Sequence, residues 1–329
     1  MATEKLLSDF PKVTMAFAYG SAVFTQEGYA DTNKNMLDAM FVVDDALAWH
    51  KLNVKVNGSH YSAIARVFGP KLITSLQDDF GANMYFNTLV PWNGQFIKYG
   101  VITKRFLIDD LVNWRSLYAS GRLHKPVKFL GVFPTDIRSA LTSNLNHVLR
   151  TSLLCLPDQF SDEELFLHIS NLSYAGDFRM IVGENKNKVS NIVIPNMEHF
   201  RKLYYPLLHN DESIDIDKNI IHQKCDVETR YERLTSLPQN LKSRIVNWRM
   251  SGLRFQPFNN PSNEMQDAIL YGLAHDREKT SELALKGARS IVRYTSISQS
   301  LKGIITAGMF KSIVYSGKKL GKMFRGMLK

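Results

Sequence analysis

The fold is decided by two short runs near the N-terminus, VTMAFAYGS at residues 13–21 and MLDAMFVVDD at residues 36–45. Both have the length of a strand and are rich in apolar residues, and KYGVI at residues 98–102 is a third candidate. Residues 46–52 and 61–68 have the pattern of short helices. Strands that alternate with helices predict an α/β fold, with a mixed sheet covered by helices.

The first strand ends at Gly20-Ser21, and Asp38 stands at the head of the second strand. A glycine at this place removes the Cβ that would block a phosphate, so backbone N–H groups and the Ser21 hydroxyl can reach it. A carboxylate on the neighbouring strand can then hold Mg²⁺ against the same phosphate. These parts predict phosphoryl or nucleotidyl transfer. The alternatives are a simple turn at Gly20-Ser21, since Gly58-Ser59 repeats the dipeptide, and a turn or capping role for Asp38.

The middle of the chain is more helical. Apolar spacings of three and four predict helices at residues 109–121, 134–155, 161–174 and 196–208. Asp109-Asp110 is expected to open the first of these helices. We therefore divide the chain into a first α/β domain, a helix-rich domain and a C-terminal region, at residues 1–112, 113–240 and 241–329.

The C-terminal region holds nearly all of the net charge. The chain has 41 Lys and Arg against 31 Asp and Glu, and residues 280–329 alone hold ten basic residues and one acid. On a helix over residues 308–329, the basic residues fall on one face and the large apolar residues on the other. Such a helix is suited to lie on an anionic membrane. The alternative is that its apolar face packs on the protein's own body.

The composition excludes several classes of protein. A chain of 329 residues with 44% hydrophobic and 22% charged residues is neither fibrous nor wholly disordered. No apolar stretch approaches the roughly 18 to 20 residues that cross a bilayer. Two cysteines, Cys155 and Cys225, are too few for a disulfide framework and indicate a reducing compartment. The first residues have the pattern of neither a secretory signal nor a clear mitochondrial presequence.

Ten blocks follow one another along residues 19–316. They are YGSAVF (19–24), MLDAMFVVDD (36–45), WH (49–50), HYS (60–62), KYGVI (98–102), DDLVNW (109–114), LYASGRLHKPVK (117–128), LSYAGDFRM (172–180), VGENKNKV (182–189) and TAGMFKSIVYS (306–316). In this order they resemble the mitochondrial phosphatidate cytidylyltransferases, also called mitochondrial translocator assembly and maintenance proteins.

The resemblance implies a nucleotidyltransferase-fold domain with a mixed sheet, followed by a helix-rich, winged-helix-like domain and the C-terminal amphipathic helix. It also implies a Mg²⁺-dependent reaction in which CTP and phosphatidic acid give CDP-diacylglycerol and pyrophosphate, feeding cardiolipin and phosphatidylglycerol synthesis. The expected place is the matrix side of the mitochondrial inner membrane, as a peripheral protein. No nucleic-acid partner is expected.

The resemblance also implies a set of site residues. We predict that Asp38, Lys125 and Arg179 are catalytic, that Tyr19, Gly20, Ser21 and Arg122 bind CTP, and that Asp38, Asp110 and Asp177 ligate Mg²⁺. The arginines and Lys125 would meet the charges of triphosphate or phosphatidate. For Arg122, Lys125, Asp177 and Arg179 the alternative is a solvated surface position.

The carboxylate spacing departs from the usual nucleotidyltransferase pattern of two acids two residues apart on one strand. Met40 stands two residues after Asp38, and a regular strand puts Asp44 about 20 Å away. A second metal ligand must therefore come from another segment, which leaves Asp109, Asp110 and Asp177. For Asp109 and Asp110 the alternative is a favourable interaction with a helix N-terminus.

Two histidines, His50 and His60, have a pKa suited to general bases. A phosphate monoester nucleophile is already ionised and needs no base, so we expect both histidines to be structural.

Two other functions fit parts of the pattern. A nucleotidyltransferase that acts on RNA ends would use the same fold and a basic tail, although the first 279 residues have a net charge of only +1. A non-enzymatic assembly factor for inner-membrane protein import is suggested by the second name of the family.

Overall fold

The computed structural model describes residues 6–24, 35–182, 187–252 and 261–307. Its first part is built on a five-stranded sheet of β1 (Met15–Tyr19), β2 (Leu37–Val43), β3 (Met84–Trp92), β4 (Gln95–Thr103) and β5 (Lys128–Leu130). The strand order is β3-β4-β2-β1-β5. Strands β2 and β4 are parallel and the other pairs are antiparallel. The predicted mixed α/β fold is confirmed.

The three predicted strands are present as β1, β2 and β4, whereas β3 and β5 were not predicted. Polar residues and Pro91 interrupt the apolar pattern of β3, and its register shifts at a bulge between Asn87 and Val90. Strand β5 has three residues, which is too short for a periodic signal. It pairs with β1, so the sheet includes residues beyond 112. The domain boundaries at residues 112 and 240 stay predictions.

Helices cover both sides of this sheet. We call the side that carries Phe17 and Met40 the front and the side that carries Phe41 and Tyr99 the back; each side belongs to its own apolar cluster. Helices α1 (Ala46–Val56) and α2 (Ala63–Asp79) cover the back, and α2 is kinked at Gly69. The front is covered by α3 (Lys104–Asn113), α4 (Ala119–Leu123) and α5 (Thr135–Leu153).

The prediction of one helix over residues 109–121 is wrong. Helix α3 ends at Asn113, where Trp114 adopts left-handed backbone angles (φ 51°, ψ 48°), and α4 begins only at Ala119. The Trp114 indole is fully buried and donates a hydrogen bond to Asn144 Oδ1 at 2.9 Å. Asp109 and Asp110 therefore lie near the end of α3 and do not open a helix, although the Asp110 carboxylate accepts from the Ser120 N–H at the start of α4.

The second part combines helices with a small antiparallel sheet, in line with the expected winged-helix-like domain. The helices are α6 (Asp162–Leu172), α7 (Arg179–Val182), α8 (Lys188–Val193), α9 (Met197–His209) and α10 (Val227–Thr235). The sheet has the order β6-β8-β7, from β6 (Gln159–Ser161), β7 (Ile214–Asp217) and β8 (Ile220–Gln223). The predicted helices at 134–155, 161–174 and 196–208 are confirmed as α5, α6 and α9. Ser161 and Glu164 form a capping box at the start of α6.

The chain continues through α11 (Gln239–Gly252), α12 (Asn263–Ala274) and α13 (Arg277–Ala307). Near its end α13 contacts the first domain, because Lys302 Nζ donates to the carbonyls of Gln77 at 3.1 Å and Phe80 at 2.7 Å. The predicted basic helix at residues 308–329 lies outside the described residues. Within the described part of the chain, no helix combines the length and the hydropathy that crossing a membrane requires.

Candidate active site

Three polar side chains form a row across the front of the sheet at one end of its strands. Tyr19 pairs with Asp38 in the antiparallel register of β1 and β2, and Asp38 pairs with Lys98 in the parallel register of β2 and β4. Paired residues on adjacent strands point to the same side. Lys98 Nζ lies 3.8 Å from Asp38 Oδ1 and 4.9 Å from the centre of the Phe86 ring. The Asp38 carboxylate is partly exposed, with 26% of its side chain accessible.

The turn after β1 lies beside this row. Gly20 has a φ of +84°, which an L-residue with a side chain rarely adopts, and a Cβ at this position would lie 3.4 Å from Asp38 Oδ2. The Gly20 carbonyl accepts hydrogen bonds from the backbone N–H groups of Val23 and Phe24, both at 3.0 Å. The turn therefore leaves an open approach to the Asp38 carboxylate.

Arg122 on α4 lies over the row. Its guanidinium carbon is 4.7 Å from the ring centres of both Tyr19 and Tyr118, so the arginine is held between two aromatic faces. Its Nε–H is buried and donates to no partner among the described residues, and the Tyr19 hydroxyl likewise has no hydrogen-bond partner there. Burial raises the pKa of Tyr19 well above its ordinary value, so this hydroxyl stays protonated.

Lys125, two residues after the end of α4, also belongs to the cluster. Lys125 Nζ donates to Ser173 Oγ at 2.7 Å and lies 4.9 Å from the centre of the Tyr174 ring. Burial, together with the charges of Arg122 and Lys188, holds the pKa of Lys125 well below its ordinary value. An incoming anion would offset this repulsion.

Arg179 is oriented by Asp177. The Arg179 guanidinium makes a bidentate contact with the Asp177 carboxylate, with Nε to Oδ1 at 2.9 Å and Nη2 to Oδ2 at 2.6 Å, and the Arg179 backbone N–H donates to Oδ1 at 3.0 Å. Burial alone would raise the pKa of Asp177, but Arg179 outweighs it and lowers the pKa. The carboxylate thus serves as the partner of an arginine.

The pKa of Tyr118 shows the effect of the positive charges in this cluster. Burial by itself would raise the pKa of its phenol, but the charges of Arg122, Arg179 and Lys98 lower it to about 7. The same three cations would act on any other anion at this place. Among the residues that the structure describes, five cationic side chains face two carboxylates here, namely Lys98, Arg122, Lys125, Arg179 and Lys188 against Asp38 and Asp177. The cluster is therefore a site for a polyanion.

An apolar cleft of about 170 Å³ adjoins the cation cluster, and Lys125 belongs to both. Its lining includes Phe24, which follows the Gly20 turn, together with Leu141 and Leu203. The remaining lining residues are Leu123, Pro126, Val127, Phe129, His199 and Lys202. The described lining combines cations with apolar groups and includes no carboxylate, which fits a ligand that has both a phosphate and hydrocarbon.

Asp110, predicted as a metal ligand, is placed differently. Its carboxylate is buried and accepts five hydrogen bonds: from the backbone N–H and Oγ of Ser116 at 2.7 and 2.8 Å, from Leu117 N–H at 3.0 Å, and from the backbone N–H and Oγ of Ser120 at 2.9 and 3.0 Å. Two carboxylate oxygens offer about four lone-pair positions, so none is left for a metal. The geometry argues against metal binding by Asp110 and gives it the role of closing the turn between α3 and α4.

The other acids near the strand ends are also engaged in local structure. Asp45 caps α1 by accepting from the Ala48 N–H at 3.0 Å, as expected for a turn after β2. Asp109 accepts from Asn113 Nδ2 at 2.8 Å. Among the described residues, no group of three or more His, Cys, Asp or Glu side chains could enclose a metal ion.

Asp38 nevertheless fits a magnesium site of the open kind. Among the described residues, Lys98 Nζ is the cation paired with it, at 3.8 Å, which is beyond hydrogen-bond distance, and the missing Cβ of Gly20 keeps space beside Oδ2. Mg²⁺ at nucleotide sites is held by one or two carboxylates and completed by phosphate oxygens and water. Asp38 is therefore the side chain of this cluster that would hold the ion.

His50 is structural, as expected. It lies on the back of the sheet between the Tyr61 hydroxyl at 2.8 Å and Gln77 Oε1 at 3.0 Å, and burial lowers its pKa to about 4. His60 Nδ1 lies 3.0 Å from the Tyr99 hydroxyl on the same side.

Lys98, Tyr118 and Lys188 were not predicted as site residues. A signal for Lys98 exists in the sequence, because it begins the run KYGVI as Asp38 precedes the run AMFVV, and parallel strands bring equivalent positions to one edge. The other two depend on contacts between segments and leave no local signal.

The sequence matches the family described as phosphatidate cytidylyltransferase, mitochondrial, over residues 3–322. The curated protein of this name from Xenopus laevis is 45% identical, with 98% of this chain and 94% of the relative covered. The Danio rerio protein is 46% identical at the same coverage, and the Caenorhabditis elegans protein is 37% identical with 98% of both chains covered. A solved nucleotidyltransferase-like protein from Exiguobacterium sibiricum covers 92% of this chain and 76% of its own at 10% identity, with a TM-score of 0.25 that carries no argument.

The match extends over nearly the whole chain and includes every segment that contributes to the cation cluster. The chain belongs to the mitochondrial phosphatidate cytidylyltransferase family.

Proposed function

We propose that this chain transfers the cytidylyl group of CTP to phosphatidic acid and releases pyrophosphate. The observation that carries the proposal is the excess of cations, within the described part of the chain, around the accessible Asp38 carboxylate, which lies beside the Gly20 turn. Both substrates are polyanions, and an enzyme that joins them must offset their mutual repulsion.

The triphosphate of CTP would lie between the Gly20 turn and the cations Lys98, Arg122 and Arg179. Arg122 is held by two aromatic rings and Arg179 by Asp177, so both guanidinium groups are positioned before the substrate arrives. Asp38 would hold Mg²⁺ against the phosphate oxygens. When bound, this ion supplies charge neutralisation at the reacting phosphate.

In the reaction, a phosphate oxygen of phosphatidate attacks the α-phosphorus of CTP and a new P–O bond forms. The bond from the α-phosphorus to the bridging oxygen breaks, and its electron pair leaves with pyrophosphate. The attacking phosphate is already ionised, so no general base is required. Arg122 and Arg179 stabilise the negative charge that spreads over the transferring and leaving groups.

The lipid would enter through the apolar cleft. Lys125 lies where the cleft meets the cation cluster, so its ammonium can hold the phosphate of phosphatidate while Phe24, Leu141 and Leu203 contact the hydrocarbon next to it. Most of the side chains that line the cleft are apolar, so they suit hydrocarbon better than the polar edge of a cytosine base. We therefore assign the cleft to the lipid.

Incubation of the protein with labelled CTP and either phosphatidate vesicles or RNA tests the function. Label in CDP-diacylglycerol with release of pyrophosphate is the expected result. Label at RNA ends would establish the alternative nucleotidyltransferase, and no transfer to either acceptor would leave an assembly factor without enzymatic activity.

We also propose that the protein works as a peripheral protein on the matrix side of the mitochondrial inner membrane, where its product feeds cardiolipin and phosphatidylglycerol synthesis. The naming of the relatives as mitochondrial supports the compartment. Residues 308–329 hold six of the chain's basic residues and no acid, which supports binding of this tail to an anionic surface.

Deletion of residues 308–329 tests the tail. Binding to anionic vesicles is expected to weaken and to lose its salt dependence, while CTP binding stays near that of the parent. Equal vesicle binding by both proteins at low salt would show that the tail is not the membrane contact.

A further inference from the structure

Helices α1 and α2 on the back of the sheet form a hairpin with an unusual charge pattern. Residues 46–77 contain no Asp or Glu, so all 31 acids of the chain lie outside this segment. Its four lysines and arginines, Lys51, Lys55, Arg66 and Lys71, are all exposed. None of them makes a salt bridge with a carboxylate of the described residues. The hairpin is therefore a basic surface whose positive charges are not balanced by acids of its own.

The same hairpin exposes large apolar side chains. They are exposed by 53 to 80%, and they are Leu52, Val56, Ile64, Val67 and Phe68. Leu52 and Val56 are one turn apart on α1, directly beside the turn-spaced Lys51 and Lys55. Exposed apolar residues next to lysines, on helices whose inner sides are buried, are typical of a surface that enters a lipid interface.

The turn of the hairpin lies at the same end of the sheet as the candidate active site. Asn53 Nδ2 and His60 Nδ1 both lie 3.0 Å from the Tyr99 hydroxyl. Tyr99 follows Lys98 on β4 and points to the opposite side of the sheet. The hairpin turn thus stands directly behind the strand ends that carry Asp38 and Lys98.

The last described helix contacts the end of the hairpin. Lys302 ties α13 to the carbonyls of Gln77 and Phe80 at the end of α2. The α-helix continues to Ala307, five residues further, which is about 8 Å at 1.5 Å per residue.

We propose that this hairpin surface, defined by the four cations and the five exposed apolar side chains, docks on an anionic lipid bilayer. The proposal rests on the proposed function in one respect, that the substrate is a membrane lipid. In this arrangement the hairpin and the tail both contact the membrane. The end of the sheet that carries Asp38 then faces the bilayer. Charge complementarity selects the partner, because four cations without an acid match anionic headgroups and the apolar residues match the acyl region beneath them.

Two full-length double variants test the hairpin surface, Lys51→Glu with Lys55→Glu and Val67→Ser with Phe68→Ser. Each basic residue near an anionic surface contributes about fivefold to binding at low salt, so the charge variant is expected to bind phosphatidate-containing vesicles at least 25-fold more weakly. The apolar variant is also expected to bind these vesicles more weakly, and the loss should be the same at low and at high salt, because salt screens charges and not apolar contacts. Matched controls are Lys218→Glu with Lys224→Glu and Val132→Ser, all exposed elsewhere.

Turnover is measured in parallel on phosphatidate in vesicles and on a short-chain, water-soluble phosphatidate. The hairpin variants are expected to lose turnover on vesicles and to keep it on the soluble substrate, where no bilayer is needed. Absence of turnover by the parent on both substrates would refute the proposed function. The vesicle-binding measurements would still test the hairpin surface, because they do not depend on activity.

Parent-like vesicle binding by both variants would overturn the proposal. Unchanged vesicle binding with a change in oligomeric state by light scattering would also overturn it and identify the hairpin as an interface between copies of the chain. Circular dichroism and thermal unfolding show whether the variants are folded.

Discussion

Asp38 and Asp110 are both acids that the sequence offers as metal ligands, yet the structure gives them opposite surroundings. Asp110 accepts five hydrogen bonds from one turn and is buried. Asp38 is partly exposed, lies 3.8 Å from Lys98 Nζ and faces the open side of a glycine. Unused acceptor capacity, rather than the presence of a carboxylate, therefore marks the reactive site.

The largest effect is expected for Asp38→Asn. Loss of the carboxylate that would hold Mg²⁺ should reduce turnover at least a thousandfold, equivalent to about 4 kcal/mol of transition-state stabilisation, with stability nearly unchanged. Steady-state kinetics at ordinary Mg²⁺ and chemical denaturation measure the two quantities. Asp44→Asn, in the exposed turn after β2, is the control and should keep its activity. A folded Asp38→Asn variant with full turnover would show that Asp38 does not hold the metal and does not differ from Asp110 in this respect.

The opposite result is expected for Asp110→Asn. An amide at this position presents hydrogens to some of the five donors, so the free energy of unfolding should fall by about 3 kcal/mol. The fraction that remains folded should retain a kcat near that of the parent. Chemical denaturation with kinetics on the folded protein checks both points, with Asp109→Asn as the partly exposed neighbour. If turnover fell a thousandfold while stability held, Asp110 would belong with Asp38.

The glycine turn beside Asp38 provides the next test. Gly20→Val places a β-branched side chain at a φ of +84° and against Asp38 Oδ2, so it should raise the KM for CTP about a hundredfold, or about 2.7 kcal/mol. Ser21→Ala removes one hydroxyl contact and should cost about 1 kcal/mol. Direct CTP binding to both variants is the measurement. Normal binding by the valine variant would place the triphosphate away from this turn.

The smallest effect concerns Tyr118, whose pKa of about 7 lies below the ordinary value of 10. Above pH 7 its phenolate competes with CTP for the same cations, so CTP affinity should fall by about fivefold, or about 1 kcal/mol, as the pH rises. Because the folded-state pKa is depressed, the phenolate should also add stability above pH 7 that is lost as the pH falls through 7. Tyr118→Phe should flatten both profiles. Identical profiles for parent and variant would show that the cations do not act on Tyr118.

The local elements were largely predictable because their signals are local. Apolar runs of strand length located β1, β2 and β4, and Ser161 with Glu164 marked the start of α6. The prediction of one helix over residues 109–121 was wrong, because the turn at Trp114 depends on a contact with Asn144, thirty residues further along the chain. Spacing alone could not reveal a partner at that distance.

The family, the mixed sheet and the place of Asp38 at the head of a strand next to Gly20 follow from local sequence, because strand periodicity and backbone freedom are properties of neighbouring residues. Which acids are saturated and which cations gather at the site depends on the tertiary fold. Asp177 is taken up by Arg179, and Tyr118 from the first part of the chain meets Arg179 from the second. Hydrogen-bond capacity and charge are balanced across contacts between distant segments, and that balance separates Asp38 from the carboxylates it resembles in sequence.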